Sequence, residues 1–437
     1  MKQTKVQLLL TGNELLNGDI VDTNSAMIAR ELAQTGIEIK RKVTVCDDLS
    51  LLGEEIAQMS AAADVLIING GLGPTSDDYT AQALAQAMKL PLVQHEQAYQ
   101  HLLAWCRQRD AQLNPANLKQ ALLPKGCDII ANRIGSAVGF KVNHNDCDIY
   151  CTPGVPMELE VMLKEQLLPG FTAATTADNK TQITKFQIFG LGESKLQQLI
   201  HDNLPHWPES VELGFRAGDP LLELKLTTRS ASAEADKTRC QAQLQQLLGQ
   251  HIVAEIDGPP KSLAEHVLSG LIEKGERLTT AESCTGGLIA SLLTQIAGSS
   301  QAFEAGFVTY SNEMKTQMLA VDPQILADHG AVSRETVLAM ARGALEKSAA
   351  DYAIAVSGVA GPGGGSKEKP VGTVWIAWGS KENLQSYCLL IPGSRLAFQR
   401  YVASIGLDLI RRLLNKSDEI ANYLIERSFK EKNSTIL

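Results

Sequence analysis

Thr279–Gly287 reads TTAESCTGG, which sets Ser283 and Cys284 side by side ahead of two glycines. Either can be a nucleophile. A cysteine is the stronger one once its thiol is deprotonated, whereas a serine needs a neighbouring base. Successive residues of an extended strand face opposite ways, so only one of the pair faces a ligand. A serine here is equally a common helix N-cap, and both readings stand on these residues alone. Lys315, in YSNEMK, follows Tyr310 by five residues. A lysine whose amine is kept neutral can take the proton of a serine, and Tyr310 can donate a hydrogen bond to a carbonyl oxygen or a leaving group. Thr285, Gly286 and Gly287 open the next helix, where free N–H groups make an anion site. SGVAGPGGGS, which holds Ser357 and Gly361, is another glycine-rich stretch after an apolar strand, as around a phosphate-bearing ligand.

A second constellation lies nearer the N-terminus. TGNELLNGDIVDTN and NGGLGPTSDD each follow an apolar strand pattern. Ligands of open α/β sheets sit at the carboxyl ends of strands. Gly70, Gly71 and Gly73 let the backbone approach a ligand, and their N–H groups, with Thr75 beside them, suit phosphate oxygens. Asp77 and Asp78 begin the following helix. With Glu14 and Asp22 they supply hard oxygen ligands for a divalent metal bridging a pyrophosphate. Either motif alone reads as a tight turn and a capped helix; two in one α/β unit favour the functional reading.

The elements that must position these groups divide the chain of 437 residues into roughly three domains. Up to about residue 170, strand and helix patterns alternate (KVQLLL, DTNSAMIARELAQTG, ADVLIINGG), which implies a parallel sheet covered on both faces. Residues 171–257 read βαββαβ, a small ferredoxin-like or KH-like α+β domain. Residues 258–420 return to an α/β pattern and end in a long helix from Ser394 to Leu414. Residues 421–437 read as a peripheral helix or loose tail. The net charge of −9 argues against broad binding to nucleic acid. The middle domain's GLGES has Glu193 where a KH loop needs its second glycine. The first apolar run breaks at Thr11-Gly12, so it suits neither a signal peptide nor a membrane span. The eight cysteines form no CxxC pair, so free thiols in the cytoplasm are expected. His144, Cys147 and Cys151 hint at zinc, but Cys147, Ile149 and Cys151 alternate as one buried strand face.

TGNELLNGDIVDTNS, NGGLGPTSDDYT, LPKGCDIIANRIGSAVGF and CTPGVPMELEVM together resemble the N-terminal domain of the CinA family, which is similar to the molybdopterin-binding MoaB/MogA fold. AESCTGG, YSNEMK, SGVAGPGGGS and PGSR resemble the family's C-terminal nicotinamide-nucleotide amidase domain. The likeness covers nearly the whole chain, leaving out the tail after about residue 420. It implies three α/β parts: a three-layer MoaB/MogA-like domain, a KH-like domain and an amidase domain. The implied activities are deamidation of nicotinamide mononucleotide (NMN) without a cofactor, and hydrolysis of ADP-ribose to AMP and ribose 5-phosphate with a divalent metal (Mg, Mn or Co). Ser283 then acts on the amide, with Tyr310 and Lys315 as partners. Ser357 contacts the amide or its developing oxyanion, and Arg395 a phosphate or ring. The resemblance also implies a homodimer. The family's name implies a different role, as a competence or recombination factor with a partner such as a recombinase, and the N-terminal domain's likeness implies a third, molybdopterin handling. Three positions depart from the family pattern: Asn13 and Ser394 stand where acidic residues are usual, and Ser136 stands for threonine.

Overall fold

VQLLLT, fully buried along its length, can be satisfied only as a strand covered on both faces. It is β1 (Val6–Thr11), the start of a βα series that continues with α1 (Asn24–Gln34), β2 (Ile39–Val45), α2 (Leu49–Ala62), β3 (Val65–Asn69) and α3 (Thr80–Ala87). β4 (Asp128–Ile130), β5 (Gly139–His144), β6 (Cys147–Thr152) and α4 (Pro156–Met162) follow. The structure, a computed structural model, describes residues 4–174, 181–417 and 419–429. The first sheet has six strands in the order β2-β1-β3-β6-β5-β4. Its first four are parallel, as the alternation implies. β5 pairs antiparallel with both β6 and the edge strand β4, because the tight turn from β5 to β6 leaves no room for a crossover helix. Cys147, Ile149 and Cys151 are buried on one face of β6, so their alternation serves packing.

The middle segment follows the expected order: β7 (Gln182–Ile188), α5 (Glu193–Asn203), β8 (Glu212–Arg216), β9 (Leu222–Thr228), α6 (Glu234–Leu248) and β10 (Ile252–Glu255), with sheet order β8-β9-β7-β10. The C-terminal segment contains α7 (Leu263–Lys274), β11 (Leu278–Glu282), α8 (Leu288–Thr294), β12 (Phe303–Val308), α9 (Asn312–Leu319) and α10 (Arg334–Ser348). β13 (Tyr352–Gly358), β14 (Thr373–Ser380), β15 (Leu384–Leu390), α11 (Arg395–Leu414) and α12 (Asn422–Glu426) complete it. Its sheet order is β12-β11-β13-β14-β15, the first three strands parallel and the last two antiparallel. Side chains of β13 alternate between the two faces. Ile354 and Val356 join the core under α7, α8 and α11, and Ala353 and Ala355 the core under α9 and α10. Ser394 caps α11, accepting from the Ala397 N–H at 3.3 Å, so its hydroxyl has a structural task.

The three larger sheets gather into two compact units. One holds the chain up to Gln182 with Thr228–Glu234, the other Ile183–Thr227 with the chain from Ala235. In the second unit the middle and C-terminal segments share a core, which includes Phe189 and Val253. Of the two expectations for the segment after residue 420, a peripheral helix or a loose tail, residues 422–426 form a helix, and it is docked rather than loose. Ala421, Tyr423 and Leu424 are buried. The Tyr423 ring meets Phe189 edge-on at 5.4 Å, and its hydroxyl donates to Asp408 Oδ2 at 2.7 Å. Asn422 Nδ2 lies 3.2 Å from His251 Nε2. A tyrosine and a leucine embedded in charged sequence pack here because the seam between two segments offers apolar surface. Residues 430–437 of the expected tail, and residues 175–180 of the middle segment, lie outside the described residues. Among the described residues no helix is long and apolar enough to cross a membrane.

Tyr423→Phe removes the donor to a buried carboxylate without changing the packing. We expect it to destabilise the second unit by about 1–3 kcal/mol, measured by urea unfolding of the full chain, and Tyr423→Ala to cost more. Equal midpoints for Tyr423→Phe and the parent chain would show that Asp408 needs no donor from this segment.

Candidate active site

At the carboxyl end of β11 the chain turns sharply. Glu282 is fully buried, and its carboxylate gathers the turn around itself. Thr285 Oγ1 donates to it at 2.7 Å, and the N–H groups of Gly287, Ile289 and Ala290 at 3.1, 3.0 and 2.8 Å. Gly286 and Gly287 take φ of +65° and +93°, left-handed values that favour glycine in so tight a turn. This corrects the expectation of an open anion site at Thr285, Gly286 and Gly287. The amides at the start of α8 already serve an anion, and it is the protein's own glutamate. It also removes the N-cap reading of Ser283: Gly287 precedes the helix, and Glu282 does the capping.

Ser283 follows Glu282, its N–H held by the Val356 carbonyl at 3.0 Å. Its side chain borders a cavity of about 200 Å³, with Tyr310, Lys315, Ala331, Val332, Ser357 and Arg395 among the lining residues. Lys315 lies on α9, and its whole side chain is buried, at 1% exposure. Its Nζ donates to Ser283 Oγ at 3.2 Å and to the Thr309 carbonyl at 2.8 Å. Among the described residues no carboxylate pairs with it, and burial pulls its pKa down from the usual 10.5. Ser357, at the end of β13, donates its hydroxyl to the Ala331 carbonyl at 2.6 Å. These three side chains form the cavity's buried floor.

The other two expected residues form its rim. Arg395 is exposed at the start of α11 and donates to the Tyr310 hydroxyl and the Gly361 carbonyl, both at 2.9 Å. Tyr310 is 62% exposed. Gly361, expected at the ligand, is absent from the cavity lining; its carbonyl holds Arg395 instead. Cys284 also borders the cavity, although its side chain is buried in the core. Burial pushes its thiol up to about 12, so it stays protonated at neutral pH. Both residues lie past the end of β11, so strand alternation does not sort them as expected; the protonated thiol of Cys284 and the contact of Ser283 with Lys315 do. The residue that sequence reasoning missed is Glu282. It stands in the quoted motif, but only the folded turn shows a carboxylate receiving four donors.

The N-terminal unit has a cavity of its own, about 460 Å³, at the carboxyl ends of β1, β3 and β6. Gly70, Gly71, Gly73, Thr75, Glu14, Asp77 and Asp78 all border it. At Gly70 a Cβ would lie 2.6 Å from the Thr11 carbonyl, so the glycine permits the close approach. Asp22 departs from the expected metal set. It caps α1 by accepting from the Ser25 N–H at 2.9 Å and pairs with Lys42 at 3.0 Å, and it is absent from the cavity lining. Asp78 is turned into its own loop, accepting from the Thr75 N–H at 2.8 Å. A hydrogen bond from Thr75 lowers the Asp77 pKa. Sequence reasoning passed over Asp47 and Glu158, which border the same cavity. Asp47 accepts from Thr11 Oγ1 at 2.6 Å and the Asn13 N–H at 3.0 Å. Its position just past the end of β2 is a signal that could have found it. Asn13 answers by accepting from the Asp47 N–H at 3.3 Å, so the residue that departs from the family pattern is engaged in the loop. Among the described residues no three His, Cys, Asp or Glu side chains converge to hold a metal by themselves.

Two α/β units, each with a cavity at the carboxyl ends of parallel strands, define a chain with two separate small-ligand sites. Residues 7–173 match the family described as probable molybdopterin binding domain, and residues 260–414 match the CinA C-terminal domain. A CinA-like protein of Colwellia psychrerythraea is 58% identical over 432 residues, spanning 99% of this chain and 100% of that one. A CinA-like protein of Shewanella sp. (strain ANA-3) is 41% identical over 420 residues, 96% of this chain and 98% of that one. Among solved structures, the competence damage-inducible protein A of Klebsiella pneumoniae is 38% identical, covering 36% of this chain and 97% of its own, with a TM-score of 0.35. The chain belongs to the CinA family.

Glu282→Gln places an amide N–H₂ against one of the four donors. We expect a loss of about 1–3 kcal/mol in stability, read as a lowered Tm of the full chain; an unchanged Tm would mean the turn holds without the carboxylate.

Proposed function

We propose that the C-terminal site hydrolyses the carboxamide of nicotinamide mononucleotide, giving nicotinic acid mononucleotide and ammonia. The observation that carries this reading is the contact between Lys315 Nζ and Ser283 Oγ, with the lysine buried and without a carboxylate partner. A lysine in that setting holds a neutral amine more readily than one in water. The Thr309 carbonyl takes one of its N–H groups, and the lone pair is left for the serine proton. Ser283 Oγ passes its proton to Nζ and forms a bond to the amide carbon. The tetrahedral adduct collapses with cleavage of the C–N bond, and the proton on Nζ leaves with the nitrogen as ammonia. Water, giving its proton to Nζ, then attacks the ester carbon; the acid is released and Ser283 regains its proton. Arg395 and Tyr310 stand at the rim, where the phosphate or ribose of a nucleotide would reach them.

A second reading concerns the N-terminal cavity, which pairs glycine-rich backbone with several carboxylates. We propose hydrolysis of ADP-ribose to AMP and ribose 5-phosphate there. A magnesium-type ion is commonly held by one or two carboxylates together with substrate phosphates, and the hard oxygen donors here fit that pattern rather than a protein-only cage. Glu14, Asp77 and Asp78 are the candidates for those one or two carboxylates, with Asp47 and Glu158 beside them. The chemistry such an ion supplies is neutralisation of charge on the pyrophosphate. The backbone of Gly70, Gly71 and Gly73 lets the phosphates lie close to the loop.

Ammonia release from NMN in EDTA tests the first reading. We expect activity in the parent chain and in Cys284→Ala, and a loss of about 100- to 10,000-fold in Ser283→Ala and Lys315→Met. Release unaffected by Ser283→Ala would overturn the assignment. The rate, kcat/KM, should rise with pH through the Lys315 pKa, because the reactive form is the neutral amine, and that rise should fall below 10.5 since burial lowers the pKa. For the N-terminal unit, AMP release from ADP-ribose should cease in EDTA, return with Mg, Mn or Co, and drop in Asp47→Asn; EDTA-resistant release would remove the metal from the reading.

A further inference from the structure

Ser357 touches the cavity with a hydroxyl whose proton is already committed. Its acceptor, the Ala331 carbonyl at 2.6 Å, has no hydrogen to give, so the direction of this bond is fixed: Ser357 donates. A serine hydroxyl carries one proton and two lone pairs. The face that Ser357 turns to the cavity therefore offers lone pairs alone.

The carbonyl that fixes this polarity belongs to the GAVS stretch, Gly330–Ser333, which the proposed chemistry otherwise leaves unused. That stretch is tied down before α10 begins. Ser333 Oγ and Thr336 Oγ1 both donate to the Gly330 carbonyl, at 3.0 and 2.7 Å, and Ser333 caps the helix by accepting from the Thr336 N–H at 3.2 Å. Ala331 and Val332 line the cavity beside Ser357. Ser357 itself is 1% exposed, so water does not readily replace the Ala331 carbonyl as its acceptor. Swinging the hydroxyl toward a ligand would leave that carbonyl without its donor, which is costly in a closed site.

From this arrangement we propose that Ser357 is a specificity-determining acceptor that reads the N–H₂ of a primary carboxamide and disfavours the carboxylate of the acid product. The inference rests on the amidase reading above. It decides between the two roles the resemblance implies for Ser357, contact with the amide or with the oxyanion, in favour of the amide. An amide offers N–H donors to the lone pairs. A carboxylate at neutral pH offers only oxygens, and a site built to pair a donor rejects an analogue lacking it. The same geometry serves turnover, because the group that holds the substrate repels what the reaction makes of it.

The test is steady-state kinetics of the full chain and of Ser357→Ala, with NMN as substrate and nicotinic acid mononucleotide as inhibitor. Removing the acceptor should raise KM for NMN about 10-fold and lower the inhibition constant of the acid, so that the two move in opposite directions. A fall in kcat with KM unchanged would assign Ser357 to the oxyanion and overturn the proposal. Parallel weakening of both ligands would overturn it too, leaving packing as the role. Absence of NMN hydrolysis in the parent chain is a different result, since it removes the amidase reading itself. A thermal melt of Ser357→Ala confirms that the variant is folded, and Ser357→Thr, which keeps the hydroxyl, should retain the parent ratio of the two constants.

Discussion

A carboxylate with no access to water must find hydrogen-bond donors inside the protein, and Glu282 finds four within eight residues of itself. That demand shapes the C-terminal site. It draws the chain out of β11 into a turn only glycines suit, starts α8, and leaves Ser283 between the strand and the turn. The backbone carbonyl of Glu282 accepts from the Thr309 N–H at 2.9 Å. Thr309 in turn offers its carbonyl to Lys315. One buried acid thus fixes the serine through its neighbour and the lysine through one intermediary.

Burial then sorts the residues around the cavity by task. The groups that hold or move a proton in the proposed reaction, Ser283 and Lys315, lie on the floor, where burial lowers the lysine pKa. Groups suited to charge or ring recognition, Arg395 and Tyr310, stand at the rim in contact with solvent. The N-terminal cavity is built differently. Its carboxylates are spread around a larger opening and partly engaged in their own loops, an arrangement that suits a ligand bringing charge of its own.

The second unit also shows how the chain holds such a site still. α11 begins beside the rim at Arg395 and ends where the middle segment meets it, with Arg412 donating to the Gln250 carbonyl at 2.8 Å. Asp408, Arg411 and Tyr423 form a buried polar cluster on that seam. Fully satisfied clusters of this kind favour a single packing arrangement.

Much of this was legible in the residues. Alternating apolar and helical periods gave three α/β or α+β segments, because period and burial are local properties. Ser283, Lys315, Gly70 and Asp77 stood out because small, nucleophilic and acidic residues gather where strands end. What the sequence could not decide was direction and pairing. Whether Ser283 or Cys284 is the better nucleophile depends on burial of the thiol and on Lys315 reaching the serine. Whether the amides at the start of α8 are open depends on where the Glu282 side chain lies, and whether Asp22 joins Asp77 depends on Lys42 reaching it first. Residues 421–437 read only as a peripheral helix or loose tail, because the seam that receives Tyr423 is built from residues as remote as Phe189. Side-chain identity is written along the chain; its partner is set by distances that exist only once remote segments have met.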